Sequence, residues 1–143
     1  MTKRVSTVGV TLNIMPSSYG DRCILVVDDE PELSRIVKVT LERLKGWTVL
    51  TSESAQAGLE QAKGQHPDVI LLDLNLDVDG EGLALLQTLK TNLITQSIPV
   101  ILFTATDPSD DRLELSPFDL AGIIFKPFNV LHLADEIIKQ LGW

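Results

Sequence analysis

Four short apolar runs divide the chain, and each ends in a residue able to do chemistry. Val69-Ile70-Leu71-Leu72 ends in Asp73, and Cys23-Ile24-Leu25-Val26-Val27 ends in Asp28-Asp29. Val100-Ile101-Leu102-Phe103 ends in Thr104, and Ile123-Ile124-Phe125 ends in Lys126. Unbroken β-branched and aliphatic runs, bounded by turn formers such as His66-Pro67-Asp68 and Pro99, predict strands buried on both faces. A further short strand is predicted over 47–50.

Between the runs the apolar spacing changes from continuous to every third or fourth residue. Leu33, Ile36, Val37, Leu41 and Leu44 predict an amphipathic helix over 31–45, with Pro31 in its first turn and Gly46 stopping it. Ala55, Leu59 and Ala62 predict a second helix over 54–63, closed by Gly64. A turn-rich loop over 75–82 leads into a helix carrying Leu83, Leu85, Leu86 and Leu89. Asp107-Pro108-Ser109 predicts a short helix containing Leu113, which Pro117 must end. The last helix is predicted from Asn129 as N-cap, with Leu133, Ile137 and Leu141 facing inward.

Alternating strand and helix with buried strands implies an α/β fold, a parallel sheet covered on both faces. Right-handed crossovers limit its topology, and ligands of such sheets sit outside the carboxyl ends of the strands. That rule gathers Asp28, Asp29, Asp73, Thr104 and Lys126 at one place. Residues 1–20, rich in Ser, Thr, Pro and Gly, are expected to form a flexible or loosely docked extension, with 21–143 as the single folded domain. The alternation Val8, Val10, Leu12, Ile14 is compatible with an edge strand.

Charge and composition narrow the chemistry. A net charge of −8 over 143 residues argues against a broad nucleic-acid-binding face. No run approaches the roughly 18 apolar residues of a membrane span. The polar interruptions after Lys3-Arg4 make a poor signal peptide, so a cytoplasmic protein is expected. The single Cys23 lies in an apolar run and reads as a small buried hydrophobe. With two histidines and no metal-binding Cys–His spacing, zinc chemistry has no support. No glycine-rich nucleotide fingerprint is present.

A lone acid at a strand end is ordinarily a cap or turn residue. Three together are different, because each carboxylate pair at about 4 Å and an effective dielectric near 20 costs about 4 kcal/mol. Such a cluster takes up protons or binds a cation, and hard oxygen ligands favour Mg²⁺. A metal ion, the Lys126 ammonium and the Thr104 hydroxyl around one carboxylate can cradle a phosphoryl group, with Asp73 as nucleophile. The acidic loop Asn75-Leu76-Asp77-Val78-Asp79-Gly80 begins like a calcium loop, but Leu86 stands where the bidentate glutamate is required.

The chain resembles the receiver domain of two-component response regulators. The resemblance is carried by Ile24-Leu25-Val26-Val27-Asp28-Asp29-Glu30-Pro31, Val69-Ile70-Leu71-Leu72-Asp73-Leu74, Val100-Ile101-Leu102-Phe103-Thr104-Ala105 and Lys126-Pro127-Phe128. It implies a flavodoxin-like sheet of order 2-1-3-4-5 and phosphorylation of Asp73 by a histidine kinase or a histidine phosphotransfer protein. Asp28, Asp29, Asp73 and the main-chain carbonyl of Asn75 would hold Mg²⁺. Lys126 would contact the phosphoryl oxygens, Thr104 would report them, and the Lys126-Pro127 peptide would be cis. Signalling would run through a downstream protein or a homodimer, without direct nucleic-acid or membrane binding. The chain departs from the family pattern at Ile123, where an aromatic is usual, in the longer loop after Asp73, at Pro117 and Asp119, and in residues 1–20. Two other readings are a receiver-fold binding module that acts without phosphorylation and a Mg²⁺-dependent phosphohydrolase. The second lacks an acid two residues after Asp73, where Asn75 stands, and lacks a cap domain.

Overall fold

The computed structural model describes residues 22–76, 80–105 and 118–143. Five parallel strands, β1 (Cys23–Val27), β2 (Thr48–Ser52), β3 (Val69–Leu72), β4 (Val100–Thr104) and β5 (Gly122–Phe125), form one sheet in the order β2-β1-β3-β4-β5. The helices are α1 (Pro31–Lys45), α2 (Ala55–Gln65), α3 (Glu81–Thr91) and α4 (Leu133–Leu141). This is the doubly wound, flavodoxin-like topology that the resemblance implied.

Strand periodicity explains why the sheet needs helices on both sides. Ile24, Val26, Val69, Leu71, Ile101 and Phe103 point to one face and pack with Val37, Leu41, Leu133 and Ile137 of α1 and α4. Leu25, Val27, Ile70, Leu72, Val100 and Leu102 point to the other face, with Ala62 of α2 and Leu85, Leu86 and Leu89 of α3. Each such side chain, fully buried, stabilises the fold by about 1.5–3 kcal/mol.

Both open edges of the sheet are blunted by helix side chains. On β2, Glu42 accepts from the Val49 N–H at 3.2 Å while Lys38 donates to the Val49 carbonyl at 2.8 Å. The Lys38–Glu42 pair therefore stands in for the strand that is missing on that side. On β5, the Gln140 amide donates to the Ile123 carbonyl at 3.1 Å. Occupied edge groups cannot template pairing with another chain.

Several boundaries differ from the sequence reading. β2 runs on to Ser52 because Thr51 and Ser52 pair with Val26 and Val27. Gly64 does not close α2; the helix continues to Gln65, and His66 takes the left-handed conformation at φ 49°. Gly46 does end α1, at φ 70°. On α1 the inward arc is filled by Ser34, Val37 and Leu41, which leaves Ile36 and Leu44 about half exposed. A 3-10 turn, Val130–His132, precedes α4, and Asn129 caps that turn by accepting from the Leu131 N–H at 2.9 Å. The expected extension over 1–20, the short helix before Pro117 and the acids Asp77 and Asp79 lie outside the described residues.

Candidate functional site

Every site residue follows or ends a strand, and backbone ladder bonds hold it there. The Asp28 N–H donates to the Ser52 carbonyl at 3.0 Å, the Asp73 N–H to the Val27 carbonyl at 3.0 Å, and the Lys126 N–H to the Thr104 carbonyl at 3.1 Å. The sheet thus extends one residue past its buried runs to place polar side chains. Asp28, Asp73 and Thr104 are all buried.

Each buried carboxylate is further fixed by a turn. Asp28 Oδ1 accepts from the Glu30 N–H at 2.9 Å, and Asp73 Oδ1 accepts from the Asn75 N–H at 2.9 Å. In both, the remaining oxygen faces Lys126. The ammonium donates to Asp28 Oδ2 at 2.6 Å, Asp73 Oδ2 at 3.1 Å and Glu30 Oε1 at 3.1 Å. Its Nζ lies 5.1 Å from the centre of the Phe103 ring, which in turn packs on Phe128 at 4.8 Å. Lys126-Pro127 is cis, as the resemblance implied.

The electrostatics follow from this crowding. Burial pushes the Asp28 carboxyl above its ordinary value; the bonds from Lys126 and the Glu30 N–H offset this only in part. For Lys126, burial alone would lower the value. Hydrogen bonds to Asp28 and Glu30, with the charges of Asp28 and Asp73, overcome that and raise it. The ammonium is therefore firmly protonated at neutral pH.

Of the residues singled out from the sequence, Asp28, Asp29 and Asp73 bring carboxylate oxygens within 4.8 Å of one another. Asp29 is exposed at the mouth, whereas its two companions are buried. Thr104 joins them through Asn75, whose side-chain amide approaches Thr104 Oγ1 at 3.5 Å. A cluster of hard oxygen donors, partly open to solvent, suits a divalent cation that keeps some of its waters. The site opens into a cleft of about 800 Å³ walled on one side by Leu33, Ile36, Phe128 and Val130.

Three contributors were not read from the sequence as part of the site. Glu30 directly precedes the helix predicted over 31–45, Ile36 is one of that helix's apolar positions, and Gly82 ends the turn-rich loop predicted over 75–82. A Cβ at Gly82 would lie 2.5 Å from the Leu74 carbonyl oxygen and 2.7 Å from that of Asp73. Only glycine lets α3 approach the segment that carries Asp73. Ile123, at the position where the family usually carries an aromatic, packs against the core on the α2–α3 face, as does Phe118, while Phe125 is exposed.

The profile of the family described as "Response regulator receiver domain" matches residues 24–138. The chain belongs to the response regulator receiver family. Its relatives include the probable transcriptional regulatory protein TcrX of Mycobacterium tuberculosis, 34% identical over 118 residues, which make up 82% of this chain and 47% of that protein. The phosphate regulon transcriptional regulatory protein PhoB of Escherichia coli is 33% identical over 116 residues, 81% of this chain and 50% of PhoB. The chain thus spans about half the length of the curated relatives it matches.

Among solved structures, the chemotaxis response regulator CheY4 of Vibrio cholerae superposes with a TM-score of 0.74 at 26% identity, covering 84% of this chain and 98% of its own. The receiver domain of the sensor histidine kinase PA1611 of Pseudomonas aeruginosa shares the fold, with a TM-score of 0.73 at 23% identity. It covers 87% of this chain and 100% of its own, and its crystal structure holds a magnesium ion in the active-site cleft. Among the described residues of the present chain, no helix is long and apolar enough to cross a membrane. The receiver family is one of signalling modules.

Proposed function

We propose that Asp73 accepts a phosphoryl group from a histidine of a kinase or phosphotransfer protein, and that the modified module signals by protein–protein interaction in the cytoplasm. The observation that carries this reading is the single ammonium of Lys126 bridging the buried carboxylates of Asp28 and Asp73. It supplies a fixed positive charge where charge develops during transfer. An Asp73 carboxylate oxygen attacks phosphorus; the donor N–P bond breaks, and its electron pair leaves on the imidazole nitrogen. Lys126 then takes one phosphoryl oxygen, and the Thr104 hydroxyl donates to another.

Asp28, Asp29, Asp73 and the main-chain carbonyl of Asn75 would hold Mg²⁺. When bound, the ion neutralises the remaining phosphoryl charge and aligns donor and acceptor. Attack of water on phosphorus would return the carboxylate and inorganic phosphate, so the only catalysis is on the protein itself. Residues 21–143 form this module and 1–20 its extension. The net charge of −8 weighs against nucleic-acid binding by this stretch of chain.

Incubation with acetyl phosphate followed by intact-mass measurement tests the proposal. The expected result is one Mg²⁺-dependent phosphoryl adduct in the wild type and none in Asp73→Asn. An adduct in both proteins refutes the assignment. A folded wild type that binds Mg²⁺ but takes no adduct would support a binding module that works without phosphorylation. The aliphatic Ile123 at the usual aromatic position favours that second reading.

A further inference from the structure

We propose that Glu30 is a positioning residue: it tethers the Lys126 ammonium in the unphosphorylated protein and competes for it with the phosphoryl group on Asp73. The inference rests on the phosphoacceptor reading above and concerns the regulation of that site. An ammonium has three N–H donors. Among the described residues Asp28, Asp73 and Glu30 are its three acceptors, at 2.6, 3.1 and 3.1 Å. A phosphoryl oxygen can reach Nζ only by displacing one of them.

The three are not equally free to leave. Asp28 is fully buried, makes the shortest bond and is fixed through its other oxygen by the Glu30 N–H. Asp73 is itself the group that carries the phosphoryl. Glu30 has a side chain that is 61% exposed and can be rehydrated at little cost. Its carboxylate has no helix-capping duty either: Glu30 occupies the N-cap position of α1 without a side-chain cap bond. The backbone of Glu30 stays in place on Asp28 while its side chain swings out. Unphosphorylated, the carboxylate holds the ammonium over the cleft; phosphorylated, the same carboxylate competes with the phosphoryl group for it.

The test uses fluoroberyllate, a phosphoryl mimic, titrated calorimetrically at saturating Mg²⁺ into the full chain, with Mg²⁺ affinity measured separately. Glu30→Gln should bind fluoroberyllate about two- to fivefold tighter than wild type, the span of an exposed ion pair. Glu30→Asp keeps the charge but is one methylene short, and should tighten binding likewise. Glu32→Gln, an equal change of charge in the first turn of α1, should leave it unaltered. Unchanged fluoroberyllate affinity in Glu30→Gln overturns the tether. Weaker fluoroberyllate binding together with weaker Mg²⁺ binding also overturns it, and makes Glu30 one more acid of the cation site. A wild type that binds Mg²⁺ but not fluoroberyllate overturns the phosphoacceptor reading itself.

Discussion

The two ends of the sheet each place a cation against an aromatic ring, to opposite effect. At the amino end, Arg22 lies 4.2 Å from the centre of the Trp143 ring, and Trp143 meets Trp47 edge-on at 5.5 Å. Asp68 accepts from the Cys23 N–H at 2.7 Å beside them. Opposite charges and apolar rings there close the fold where α4 returns to the starts of β1 and β2. At the carboxyl end, Lys126 lies over Phe103 but also faces three carboxylates, two of them on buried residues. That end keeps like charges together, an arrangement that favours a ligand more than it favours folding. Ring packing dominates one end of the strands and a cluster of charged groups the other.

The contrast is broken most completely by Asp73→Asn. Phosphoryl labelling should fall below detection while thermal unfolding stays within a few degrees of wild type, as intact mass and calorimetry would show. Gly82→Ala carries a packing fault into the carboxyl end. Its methyl group has no room against the Leu74 and Asp73 carbonyls, so a loss of about 1–3 kcal/mol is expected. Denaturant unfolding would measure that loss, and slower labelling should accompany it. Trp143→Ala should cost a similar or smaller amount, about 1–2 kcal/mol for a partly buried ring, and leave the labelling rate unchanged. Slower labelling in that variant would mean that the two ends are coupled.

The smallest expected effect concerns Cys23. Burial, and then the nearby charge of Asp68, raise its thiol above the ordinary value. At pH 8 the folded protein holds less thiolate than the unfolded chain, so iodoacetamide should alkylate it several-fold more slowly in buffer than in denaturant. Since the folded value is the higher one, this group's contribution to stability is complete below the unfolded thiol's value and is lost as pH rises through the folded one.

Much of the candidate site was legible in the chain because Asp28, Asp73, Thr104 and Lys126 each end or follow an apolar run that forms a buried strand. Asp28, Asp73, Thr104 and Lys126 needed no more than a parallel sheet to be brought together. The sheet order itself is invisible in the runs and came from the family resemblance, since any right-handed arrangement satisfies the same pattern. What stayed hidden depends on distances across the fold. Nothing local marks Glu30 as a partner of a lysine 96 residues away. Nor does helical spacing tell that Ile36 turns to the cleft while Ser34 takes the inward place. The left-handed cap falls on His66 rather than on Gly64, directly before Pro67, which cannot continue a helix.

The most direct test of the account is to locate the acyl phosphate. Protein phosphorylated in the presence of Mg²⁺ is reduced with borohydride, which converts an aspartyl phosphate to homoserine, and its peptides are sequenced by mass spectrometry. Homoserine at position 73 alone, and only when Mg²⁺ was present, is the predicted result. Homoserine at position 28 or 29, or labelling of Asp73 indifferent to Mg²⁺, would contradict it.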